Sequence, residues 1–200
     1  MRNTDEAMQL VQLEDVIPKA YQDQLEAETS ALGWFFHKET ARPGLNFSQS
    51  FGGFFHMAYD IASPTPVSSI INALLVPLLF VSLDKAKLKL NDLIRVRLGM
   101  FPRTMLDVPY HNPHVDFYEP HLVGLYYVND SDGDTVVFNE TFEKVSLEQS
   151  PKYANEGKFT ELARIAPKKG TMVFFDGKHY HASMHPTKHA QRIVVTFDFR

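Results

Sequence analysis

Gly170-Thr171-Met172-Val173-Phe174-Phe175-Asp176-Gly177 and, further on, Arg192-Ile193-Val194-Val195-Thr196-Phe197-Asp198-Phe199 are the stretches whose reading decides the fold. The first is a short apolar strand bounded by glycines, followed by a loop and then His181-Ala182-Ser183. The second is β-branched and aromatic throughout, which reads as a strand. On a strand residues 192, 194 and 196 share one face. Val194 is apolar, so that face points inward and carries Arg192 with it, against the alternative of an edge arginine that guards against aggregation. From Leu93 onward, β-branched or aromatic runs recur at close intervals, the pattern of a sandwich or jelly roll. Before them, Pro18 suits the first turn of a helix, and Val16, Ala20, Tyr21, Leu25 and Leu32 lie near helical spacing, predicting a packing helix through about residue 31. Trp34-Phe35-Phe36 and Gly53 to Tyr59 read as strands separated by the turn-rich Ala41 to Ser50. Ile70 to Leu83 predicts a buried helix pair bent at Pro77, and no helical period follows it. The expected class is α+β, mainly β, with N-terminal packing helices in a single domain over residues 1–200, since one domain typically spans about 100 to 200 residues.

Composition narrows the function. A chain that is 44% hydrophobic can build a core, and a net charge of −4 with no polybasic block argues against nucleic acid as a partner. There is no cysteine, so disulfides and thiolate metal sites are excluded and any transition metal must be held by His and carboxylates. The N-terminal segment lacks the apolar core of a secretory signal, and Ile70 to Leu83, interrupted by Asn72 and Pro77, falls short of the roughly 20 residues needed to cross a bilayer. A cytoplasmic, non-membrane protein is the expectation.

Seven of the nine histidines lie from His111 to His189. His114-Val115-Asp116 stands out, because residues i and i+2 of a strand reach the same side while the middle one packs away. With His181 these supply two imidazoles and a carboxylate, the donor set that holds Fe(II) on one face and leaves the opposite positions open. His111, His121 and His185 are weaker candidates for the third ligand, and His179 and His189 fall in expected loops. Asp130-Ser131-Asp132-Gly133-Asp134 fails the EF-hand pattern, because Val128 would stand where the first carboxylate is required, and reads as a hairpin turn. Arg97 and Arg103 fit either surface solvation or contact with a substrate or cosubstrate.

Taken together, "LIRVRLGMFPRT", "HVD", "LYYVNDSDGDTVVF", "RIAPKKGTMVFFDGKHYHAS" and "RIVVTFDF" resemble the 2-oxoglutarate/Fe(II)-dependent dioxygenase superfamily, nearest to its prolyl 4-hydroxylase-like branch and to phage-encoded members. The order and spacing of the segments carry the likeness over about half the chain. The resemblance implies a double-stranded β-helix, with His114, Asp116 and His181 as Fe(II) ligands. It also implies Arg192 pairing the distal carboxylate of 2-oxoglutarate, Tyr127 as its hydroxyl partner, and O2 as the second cosubstrate. Some members carry Ser two residues after the arginine; here that position is Val194, which leaves Tyr127 or Thr196 to supply the second hydrogen bond. A carboxylate at Asp116, where related halogenases carry Ala or Gly, implies hydroxylation and not chlorination. The implied substrate is a peptide side chain or a small amino-acid-like molecule. The chain given ends directly after its last strand, so a lid is expected from the N-terminal half or from the loop Arg103 to Tyr110. Two other readings use the same ligands: a cupin-like jelly roll that binds metal without catalysis, and a zinc hydrolase, which would leave Arg192 and Tyr127 without a task.

Overall fold

A computed structural model describes residues 10–38, 52–63, 69–105 and 110–200. The turn-rich stretch 41–50 lies outside the described residues, as do residues 106–109 of the expected lid loop. In chain order the elements are β1 (Val11–Leu13), α1 (Lys19–Thr29), β2 (Phe35–His37), β3 (Gly53–Asp60), α2 (Asn72–Ala86), β4 (Leu93–Pro102), β5 (Leu122–Tyr127), β6 (Thr135–Thr141), α3 (Ser150–Asn155), β7 (Glu161–Ile165), β8 (Met172–Asp176), β9 (His179–Ser183) and β10 (Gln191–Phe199). The strands form a seven-stranded sheet in the order β1-β8-β5-β10-β4-β3-β2 and a three-stranded sheet in the order β7-β6-β9. All pairings are antiparallel. The architecture is a double-stranded β-helix with the helices of the N-terminal half on one side.

Period-two alternation sorts the large sheet into two faces. Ile193, Val195, Phe197 and Phe199 of β10 and Val96 and Leu98 of β4 join Leu25 of α1 and Leu75, Leu78, Leu79 and Leu83 of α2 in one apolar layer. The opposite face contributes Phe101, Val123, Leu125, Tyr127, Val173, Phe175 and Val194, which meet Val137 and Ile165 of the small sheet. A third cluster covers the far side of the small sheet: Val136, Phe138, Tyr180 and Ala182 against Val115, Val145 and Phe159. Burial of an apolar side chain on this scale stabilises by about 1.5–3 kcal/mol each, so register and core are set by the same residues.

Three expectations change. The helix pair at Ile70 to Leu83 is one helix, α2, with Pro77 inside it. Pro77 stands in the second turn, where its missing N–H costs a single bond to Ala73, and the stripe Leu75-Leu78-Leu79-Leu83 packs on the sheet without interruption. Its end is closed by Lys87 in the left-handed region, with Leu88 N–H donating to Leu83 O at 3.0 Å. A helix after residue 83 does exist, α3, whose six residues are too few to show a period. Finally, Asp130 to Asp134 is no hairpin, because it carries the chain from β5 in the large sheet to β6 in the small one. Asp132 there accepts from the N–H groups of Thr187, Lys188 and His189 and so ties down the β9–β10 connection. A Cβ on Gly133 would lie 2.6 Å from Met184 O, so only glycine permits this approach.

Candidate active site

His114, Asp116 and His181 converge. One ligating atom from each lies within 4.8 Å of the others, and among the described residues they are the group that could hold a metal ion. The local structure differs from the expected strand: His114 makes an isolated antiparallel bridge to His181, with His114 N–H to His181 O at 3.0 Å and His181 N–H to His114 O at 2.9 Å. Pro113 beside the bridge has no N–H to extend a ladder. Alternation nevertheless persists across the bridge, since Val115 packs into the apolar cluster behind the small sheet. The two imidazoles stand with ring centroids 4.6 Å apart.

The donor chemistry of the three fits a cation. Nδ1 of His114 faces Asn112 O at 3.1 Å and Nδ1 of His181 faces His179 O at 3.4 Å. The tautomer that satisfies both contacts protonates Nδ1 and leaves each Nε2 as a lone-pair donor. His181 Nε2 then meets Asp116 Oδ2 at 3.2 Å, lone pair against lone pair, and Oδ2 is buried without a hydrogen-bond donor among the described residues. A metal ion resolves that contact. Burial, and the neighbouring His181, push the His114 pKa down to about 3, which keeps the ring neutral and available as a ligand.

Asp116 offers one oxygen because the other is taken. Arg95 Nη2 donates to Asp116 Oδ1, while Arg95 Nε donates to Asp198 Oδ2 at 2.8 Å. Arg97 Nη2 adds a longer contact to the same Oδ1 at 3.6 Å. Burial alone would raise the Asp116 pKa, but Arg95 and, less strongly, Arg97 hold it well below the usual carboxylate range. Asp198 goes the other way: burial and the nearby Asp116 push it up to about 7, only partly offset by Arg95 and Arg97. Cross-strand register makes the cluster, since Asp198 pairs with Arg95 and Thr196 with Arg97 across β10 and β4. Arg97 is therefore a cavity residue and not a surface one, whereas Arg103 is exposed.

Arg192, 0% exposed, lies along the same cavity. Its Nη1 donates to Ser183 Oγ at 3.1 Å and its Nη2 to Thr135 Oγ1 at 2.7 Å, and the guanidinium lies 5.3 Å from the Phe101 ring centroid. Among the described residues no carboxylate forms an ion pair with it. A buried cation without a paired counter-ion is costly, and burial lowers the Arg192 pKa, opposed by the Tyr127 hydroxyl and, more weakly, by the charge of Asp134. Arg192 thus has the capacity to pair with an anion beyond what the described residues supply. Tyr127 is fully buried, and its hydroxyl donates to Thr135 Oγ1 at 2.8 Å, so Thr135 stands between Tyr127 and the cavity. Thr196 lines the cavity, beside Arg97 in the register. Thr135 and Ser183, the hydroxyls that touch Arg192, had no signal in the sequence beyond their places at the ends of strands.

The other histidines are placed elsewhere. His111 lines the cavity against Phe101, ring centroids 5.2 Å apart, and His185 packs on His111 at 4.6 Å. His121 faces Glu119 O at 2.8 Å. His179 belongs to β9 and not to a loop, and its Nδ1 faces Phe138 O at 2.8 Å. His189 bonds Asp132.

Residues 103–198 match the model of the family described as "Putative 2OG-Fe(II) oxygenase". No curated protein sequence matches the chain. Among solved structures, a Pseudomonas putida prolyl-4-hydroxylase is similar over 96% of this chain and 91% of its own, at 17% identity and a TM-score of 0.57. HygX from Streptomyces hygroscopicus, solved with nickel, 2-oxoglutarate and hygromycin B, covers 95% of this chain and 82% of its own at 13% identity, TM-score 0.59. A prolyl hydroxylase from Trichoplax adhaerens, in complex with a hypoxia inducible factor peptide fragment, aligns over 95% and 82% at 12% identity, TM-score 0.59. At these identities the three establish the fold.

Proposed function

We propose that this protein, a 2-oxoglutarate/Fe(II)-dependent oxygenase by its family match over residues 103–198, holds one Fe(II) through His114, Asp116 and His181 and hydroxylates a peptide side chain or a small amino-acid-like substrate. The observation that carries the reading is the buried Arg192, with no ion-pair partner among the described residues, on the wall that also holds His114, Asp116 and His181. A cupin-like metal-binding protein has no use for such a cation. When bound, Fe(II) and 2-oxoglutarate supply the oxidation: O2 takes two electrons from the decarboxylating oxo acid and two from a substrate C–H bond, yielding succinate, CO2 and C–OH.

The chain's own residues bind and orient. Arg192 presents its fork to the distal carboxylate, a geometry guanidinium serves better than ammonium. Thr135 and Ser183 hold that fork in place, and Tyr127 supports it both through Thr135 and directly. Arg95, anchored by Asp198, holds Oδ1 of Asp116 and turns Oδ2 toward the metal. Phe55, Phe101, Leu125 and Val194 make the remaining walls apolar, which excludes water and strengthens the charge contacts inside.

Anaerobic titration tests this. Fe(II) should bind one per chain, and 2-oxoglutarate should then raise a weak visible charge-transfer band as the oxo acid becomes a ligand. His114→Ala, Asp116→Ala and His181→Ala should each abolish tight iron binding, while His179→Ala and His185→Ala retain it. Bound iron with no band on adding 2-oxoglutarate would favour the non-catalytic jelly roll.

A further inference from the structure

Arg97, Arg192 and Asp116 line this cavity, and Arg95 and Asp198 stand behind Asp116, so that three guanidiniums face two carboxylates. Arg95 is committed to both carboxylates at once. On the oxygenase reading, Arg192 is committed to the cosubstrate. Among the described residues Arg97 has no such commitment. Its nearest carboxylate oxygen, Asp116 Oδ1 at 3.6 Å, is already held by Arg95. Its guanidinium lies over the Phe55 ring at 4.9 Å, and its side chain is 23% exposed, toward a cavity that it lines. Loading the site does not change this balance, because Fe(II) adds two positive charges and the 2-oxoglutarate dianion removes two. At least one positive charge stays uncompensated in a largely buried place, which is unfavourable until an anion arrives.

We propose that Arg97 receives a carboxylate of the substrate, so that the molecule oxidised is a small carboxylic acid of amino-acid-like kind. The inference rests on the oxygenase reading and deepens it. A carboxylate paired to a guanidinium sits about 2.7–2.9 Å from the donor nitrogens, and Arg97 Nη2 is itself 3.6 Å from the metal-ligand residue Asp116. The carbons next to the bound carboxylate are therefore the ones brought to the metal. An interior residue of a peptide presents only a neutral carbonyl at that point and leaves the charge of Arg97 uncompensated. The same cavity then discriminates two acids by position: Arg192, flanked by hydroxyls, takes the dicarboxylate cosubstrate, and Arg97, flanked by Phe55 and Thr196, takes the substrate.

The test uses the anaerobic Fe(II)·2-oxoglutarate protein and reads its visible band. Propionate, benzoate, L-alanine and L-proline are each titrated beside the matching carboxamide, with inorganic phosphate as a further arm. Carboxylates should shift the band saturably, amides and phosphate should not, and Arg97→Gln should weaken the carboxylate response at least tenfold. Arg97→Lys, which keeps the charge and the fold's electrostatics but loses the fork, should retain part of it. No shift with any carboxylate, an equal shift with the amides or with phosphate, or an undiminished response in Arg97→Gln would each overturn the proposal. So would a tenfold loss of 2-oxoglutarate affinity in Arg97→Gln with carboxylate binding intact, which would assign Arg97 to the cosubstrate. Absence of the band before any carboxylate is added would instead refute the oxygenase reading, and this inference with it.

Discussion

Replacing Arg192 by Met should separate folding from function with opposite signs. In the metal-free protein the guanidinium is fully buried, bonded to two neutral hydroxyls and paired with no anion among the described residues. Met fills a similar volume without charge. Removing a buried ion saves a desolvation cost of several kcal/mol, against which stand two lost hydrogen bonds from a charged donor, each about 1.5–3 kcal/mol. Apo Arg192→Met is therefore expected to be as stable as the parent or more stable, by up to about 3 kcal/mol. At about 2–4 °C per kcal/mol for a chain of this size, that is a rise in Tm of up to roughly 10 °C. Binding of 2-oxoglutarate should move the other way, because its distal carboxylate would be desolvated without a partner. The expected loss is about 2–5 kcal/mol, or roughly 30- to several-thousand-fold in Kd. Thermal unfolding of the apo protein and anaerobic titration of the charge-transfer band measure the two sides. A variant that unfolds many degrees below the parent would show that Arg192 is a structural cation whose hydroxyl contacts repay its burial. A variant that binds 2-oxoglutarate as the parent does would place the anchor elsewhere.

Two further outcomes follow from the charge cluster. Arg95→Met frees Oδ1 of Asp116 and removes the contact that orients its carboxylate, so Fe(II) affinity should fall about 10- to 100-fold; calorimetric titration with unchanged affinity would contradict the orienting role. The apo protein should also lose stability in acid with a slope that Asp198 moderates. His114, held at about 3 by burial and His181, and His111, well below its usual value through burial and His185, stay neutral in the fold but are protonated below about 6.5 in the unfolded chain. Asp198, raised to about 7 by burial and Asp116, keeps a proton in the fold that the unfolded chain gives up above about 4. His121 and His185, also lowered by burial, act in the same direction, so between about pH 4.5 and 6 unfolding takes up more protons on the histidines than Asp198 releases, and stability falls with acidification. Asp198→Asn removes the opposing proton and should steepen the fall by about 1.4 kcal/mol per unit. Urea denaturation across that range checks it, and equal slopes in the two proteins would contradict the elevated pKa of Asp198.

What the sequence could and could not say is clearest on β4 and β10. The alternation at residues 192, 194 and 196 assigns that face of the last strand correctly, because the period of a strand is fixed by its pleat. It does not say which face is wet. Arg97 reads equally well as a solvated residue, and only the second sheet, laid over that face by β6 and β9, turns it inward. The contacts that matter for the site join residues far apart in the chain: Arg95 to Asp116 and Asp198, Arg192 to Thr135. No local pattern encodes them. His114 and Asp116 were legible through their spacing even though the strand assumed for them is a single bridge, since one bridge already orients alternate side chains. The two uses of β10 are inseparable. Ile193, Val195, Phe197 and Phe199 lock one face under α1 and α2, while Arg192, Val194, Thr196 and Asp198 form the other. A slip of one residue would drive Arg192 and Asp198 into the apolar layer and four core side chains into the cavity. The energy that packs the helices onto the sheet therefore also fixes where Arg192 stands, and the guanidinium can stand without an ion-pair partner among the described residues because the core holds it there.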